Sequence, residues 1–107
     1  MARFMAVWQP KSASGGISDA QTATLTASTS SPFTVGKRQM VMITATGSVY
    51  ARFSIGTSAA AATDILLPFS GSVGSYVFET GDEFDTVNLI AAPITGTPTV
   101  CVVRLTP

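Results

Sequence analysis

Four of the six carboxylates of this chain fall in one short stretch, "ETGDEFD". Glu79, Asp82, Glu83 and Asp85, set out in this way, suggest three kinds of chemistry. A hard cation such as calcium wants several oxygens from one loop, but the stretch lacks the alternating ligands and closing bidentate glutamate of an EF-hand loop. A pair of carboxylates also serves glycoside hydrolysis, which needs a lined cleft, and nothing else in the sequence supplies one. The third reading is a solvated turn between two strands, with its charges available to a neighbouring subunit. The turn is the expectation, with no metal site and no cofactor.

The cations point the same way. Lys37 and Arg38 stand side by side in "GKRQ" at the start of a strand. Binding of nucleic acid draws on a clustered basic face with stacking aromatics. Two adjacent cations in a chain with six basic and six acidic residues do not make such a face. They are grouped with the acidic turn as candidate intersubunit contacts. Arg52 and Arg104 sit in otherwise apolar strands and are expected on exposed faces. There is no histidine, which removes the commonest acid/base and metal ligand near neutral pH. No G-x-S-x-G turn activates a serine, and the glycine turns "SIGTS", "SGSVGS" and "ATGS" lack the lysine of a phosphate loop. The single Cys101, in "TVCVVRL", is expected to pack in the interior. The expectation is a protein that is not an enzyme.

These side chains must be positioned by strands. With 107 residues the chain matches one domain. Apolar residues make up 46% and charged residues 11%, under half the usual charged share. A neutral chain with so little self-repulsion tends to associate. "TATLTAS" over 22–28 and "SSPFTVGKR" read as the first strands of the body. In "RQMVMITATGSVYARFSIGTS" the period-2 pattern places Val41 and Ile43 on one face, then Val49, Ala51, Phe53 and Ile55. Gly47 and Ser48 between the two runs suggest a hairpin. "SAAAATD" reads as a loop or single turn leading into a short strand around Ile65 to Leu67. "YVFETGD", with Tyr76 and Phe78 on one face and Val77 on the other, "DTVNLIAAP" and "PTVCVVRLT" complete the set. About seven to eight short strands at this spacing indicate an all-β fold, a single antiparallel β-sandwich or small barrel. The aromatics Tyr50, Phe53, Phe69, Tyr76, Phe78 and Phe84 could form a sugar-stacking platform, although parity turns several of them inward.

Residues 1–21 read as a separate arm and linker ahead of a β-domain over 22–107. "MARFMAVW" is apolar and holds the only tryptophan, Pro10 is expected to break any regular element, and "KSASGGISDAQ" has linker composition. One reading makes the leader a first strand or a tail folded over its own core. The other makes it an arm that docks on a partner through Arg3, Phe4, Met5 and Trp8, since aromatic residues, Met and Arg are enriched in interface cores. No apolar stretch of signal-peptide length precedes Pro10 and Lys11, and none reaches membrane-span length. The expectation is a soluble chain made inside the cell, with no membrane contact.

Over residues 47–105 the order "YARFSIG", "SAAAATD", "DILLPFSGS", "YVFETGD", "VNLIAA" and "TVCVVRL" resembles small structural proteins of tailed bacteriophages. They are jelly-roll-like proteins of the capsid decoration or cement type. The resemblance implies a virion location and binding to the major capsid protein or other virion proteins. It further implies a homo-oligomer, dimer or trimer, with no catalysis, no cofactor and no nucleic acid partner. The alternatives are a minor tail or head-fibre component, or a small carbohydrate- or cell-surface-binding β module.

Overall fold

The computed structural model describes residues 9–10, 20–69, 75–92 and 96–106. Nine strands lie among them, in chain order β1 (Gln9–Pro10), β2 (Ala20–Thr24), β3 (Ser31–Thr34), β4 (Met40–Ala45) and β5 (Val49–Ser54). β6 (Ile65–Leu67), β7 (Tyr76–Glu79), β8 (Thr86–Ala91) and β9 (Thr99–Thr106) follow. They form two antiparallel sheets: β1 and β2 both on one edge of β9, then β4 and β7; and, in the second, β3-β8-β5-β6.

The pairings nest. β5 pairs with β6, β4 with β7, β3 with β8 and β2 with β9, while β4·β9 and β5·β8 knit these ladders into sheets. One long ribbon, folded at β5–β6 and rolled over itself, gives this order, which is the eight-strand jelly roll. Two such sheets bury their facing sides by alternation along each strand. Val41 and Ile43 of β4, Val49 and Ala51 of β5, and Val100 and Val102 of β9 supply that inner layer, none more than 1% exposed. Phe33, Val87 and Leu89 extend it through β3 and β8.

The hairpin expected over 40–55 is not formed. β4 and β5 lie in different sheets, each flanked on both sides by other strands. The turn between them crosses the gap, with Thr46 N–H donating to Thr99 O (3.0 Å) and Ala92 N–H to Ser48 O (3.0 Å). Alternation reports which side of a strand is buried and is silent on which strand lies beside it.

Four further expectations are corrected. Arg104 is 2% exposed, because it shares inward parity with Val100 and Val102. Cys101, of opposite parity, is half-buried on the outer face between Thr22 and Thr44. Ile55 is 58% exposed, since β5 ends at Ser54 and the chain turns away. Pro10 does not break a strand: it pairs with Leu105 at a sheet edge, where a missing N–H is tolerated.

Candidate functional site

The acidic stretch is the loop between β7 and β8, at the end of the sandwich where β3 leaves and β4 begins. Three groups pin it there. Thr80, 1% exposed, accepts from Gln39 N–H and donates to Gly36 O, both at 3.0 Å. Arg38 is held at φ 56° by its N–H to Gly81 O (2.7 Å), and its Nε meets Asp82 Oδ1 at 2.7 Å. Asp85 Oδ1 accepts from Gly56 N–H (2.9 Å) and Thr86 Oγ1 (2.8 Å). The Gly56 amide first, then the Thr86 hydroxyl, hold the Asp85 carboxyl below its ordinary value, with burial opposing and Lys37 adding to the effect.

The four carboxylates therefore do not converge. Asp82 and Asp85 are committed within the fold, while Glu79 and Glu83 are exposed and have no ion-pair partner among the described residues. No group of three or more ligating side chains that could hold a metal occurs among the described residues. Lys37 and Arg38 are both exposed, and Arg38 reaches its own acidic loop. Arg3, Phe4, Met5 and Trp8 lie outside the described residues.

A second ion pair fixes the alanine-rich loop. Arg52 Nε lies 3.1 Å from Asp64, while Asp64 Oδ2 accepts from Ala61 N–H (2.8 Å). That amide, and then Arg52, hold the Asp64 carboxyl low against desolvation. Asn88, fully buried, donates to Arg52 O (3.0 Å) and Ser54 Oγ (2.8 Å) and accepts from Ser58 N–H (3.1 Å). The loop is thereby laid over the outer face of the second sheet, which is why β8 is buried on both sides.

The two long sides of the sandwich differ. On the β2/β3 side, Gln21 Nε2 reaches across to Thr34 O (2.7 Å), and Pro32 interrupts the free edge of β3. On the β6/β7 side the layers gape. Phe53 of one sheet meets Phe78 of the other edge-on, with ring centroids 4.6 Å apart, and Phe84 lies 5.7 Å from Phe53. Ile65 pairs with the inward Ala51 yet is 56% exposed, because β6 is a three-residue edge strand with nothing described beyond it. A cleft of about 440 Å³ runs between Phe53, Phe84, Thr63, Asp64 and Ile65. A second hollow of about 220 Å³, between Phe53, Phe78, Glu79 and Phe84, continues it. Leu66 and Val77, 49% and 54% exposed, lie on the outer faces of the same two edge strands.

Of the aromatics weighed as a stacking platform, Phe53, Phe78 and Phe84 come together here, while the opening beside β6 was not expected. Its signal in the sequence is "ILL" beside "YVF": on short strands, consecutive large apolar residues cannot all face inward. Tyr76 and Phe69, by contrast, pack against each other (5.1 Å) and close the opposite end of the same side. No protein-family model, curated protein or solved structure matches the chain.

Proposed function

We propose that this chain is a non-enzymatic structural protein that works by docking on other proteins. Its specific role is that of a decoration or cement subunit of a virion, binding the lattice of the major capsid protein. The observation that carries the reading is the largely apolar hollow beside β6 and β7, lined by Phe53, Phe78, Phe84 and Ile65. Open edge strands with exposed apolar side chains invite pairing with another chain. The low charge of the sequence suits a molecule that ends covered by neighbours. In a symmetric shell many weak copies act together, so no single contact need be tight. Phe53 and Phe78 meet edge-on and Phe84 is tilted against Phe53, which suits insertion of an apolar side chain better than stacking of a flat sugar face.

Density-gradient sedimentation of the source lysate tests the reading. Recovery of the chain in a megadalton band with other structural proteins is the expected outcome. Recovery only at the top of the gradient, as a free small protein, would overturn it.

A further inference from the structure

We infer that the edge of β7, unpaired among the described residues, receives residues Arg3 to Met5 from a second copy of this chain, added as an antiparallel strand. The inference rests on reading the leader as a clasp, and is independent of whether the clasp serves a virion. β7 presents Val77 and Glu79 on the outer face, both exposed, and Phe78 toward the gap between the sheets. The leader carries the complementary alternation, Arg3-Phe4-Met5. Run antiparallel, Arg3 falls opposite Glu79, Phe4 opposite Phe78 and Met5 opposite Val77. Cation meets carboxylate, aromatic meets the Phe53–Phe78–Phe84 floor, and thioether covers the exposed valine. Main-chain hydrogen bonds to a free edge supply affinity, and side chains alternating between two faces supply selectivity. Glu83, also exposed, adds negative charge near the same site.

Reach decides that the donor is another copy. Gln9 is registered opposite Thr106, on the edge of the sheet farthest from β7. A strand added beyond β7 lies four interstrand steps away, about 19 Å at the usual spacing. Met5 is four residues from Gln9, a span of at most ~14 Å when fully extended. The chain cannot place its own Met5 in that register; a neighbour's leader approaching along β7 can. The giving edge and the receiving edge are then different surfaces, so copies join head to tail.

The test is light-scattering mass of the purified full chain across concentration, with charge reversal at the pair. The native chain should be an oligomer. Arg3→Glu should weaken association at least tenfold, as should Glu79→Lys, and the double variant should recover most of the loss. Both positions are compared by circular dichroism and melting, so that a misfolded variant is recognised; Val77→Arg, on the same edge, should dissociate the oligomer independently. A monomer at every concentration would overturn the inference, as would an oligomer whose two charge reversals simply add. An oligomer that never enters a particle band would sink the virion reading and leave the clasp standing.

Discussion

Asp85 shows how a carboxylate in an acidic stretch becomes part of the fold. Its Oδ1 collects the Gly56 amide and the Thr86 hydroxyl, and the resulting pKa lies below the ordinary value. A carboxyl whose folded pKa is depressed contributes stability that is present above the unfolded value and lost as pH falls through the folded one. Asp85→Ala should therefore cost about 1–3 kcal/mol at neutral pH, the usual worth of hydrogen bonds to a charged group. The gap between variant and native chain should narrow as pH falls below the ordinary carboxylate range, measured by chemical unfolding at pH 7 and pH 2. Asp82 behaves differently. Its pair with Arg38 is solvent-exposed, with side chains 78% and 66% accessible, so Asp82→Ala should change stability by about 0.5 kcal/mol or less. The sequence placed these residues in one turn correctly; what it could not resolve is that two of the four face partners within the fold. Those partners, Gly56 and Arg38, are brought to the loop only by the pairing of distant strands. Arg104 was equally hidden: parity pointed it inward with Val100 and Val102, and the ordinary preference of a cation for water argued the other way.

The strands were readable because alternation is local. The short strand at Ile65–Leu67, the facing of Tyr76 and Phe78 against Val77, and the strand character of 86–91 and 99–106 all follow from side-chain period and turn residues. Pairing was not readable, because a run such as "ITATGSVY" has the same pattern whether its turn folds a hairpin or crosses between layers. Asn88 is another feature with no local signature. Placed in an apolar strand, it looked unremarkable, yet two of its hydrogen bonds hold β5 and a third seats the 55–64 loop through Ser58. Asn88→Leu should cost about 1–3 kcal/mol, since it strands the half-buried Ser58 N–H and Arg52 carbonyl. Amide hydrogen exchange should show faster opening at Ser58, with β4 and β9 unaffected. Ile43→Ala, at a fully buried position in the centre of the first sheet, should cost about 2–5 kcal/mol and lower the whole unfolding transition, seen as a shifted denaturant midpoint.

At the level of assembly, the asymmetry between the two long sides is the organising fact. A side chain and a proline protect the β2/β3 side, while two short edge strands and an aromatic floor are left open on the other. Composition announced that surface would be covered, through low charge and neutrality, but could not say which surface. That depended on β6 and β7 being neighbours in space as edge strands of different sheets, a property of the nested order alone. Ile65→Lys, at a site 56% exposed, should leave the melting temperature of the isolated chain nearly unchanged. It should reduce co-sedimentation with particles, measured in the same gradient as the native chain.

The nesting also dictates a timetable for synthesis. β9 is the last of the described strands and the first sheet is built around it, holding β1 and β2 on one flank and β4 on the other. A ribosome must therefore deliver the final stretch before the earliest strands of that sheet have anything to pair with, and contacts so distant along the chain form slowly. β4 and β7, and all four strands of the second sheet, can pair without it, so the flank that holds β1 and β2 is the last part of the sandwich to close.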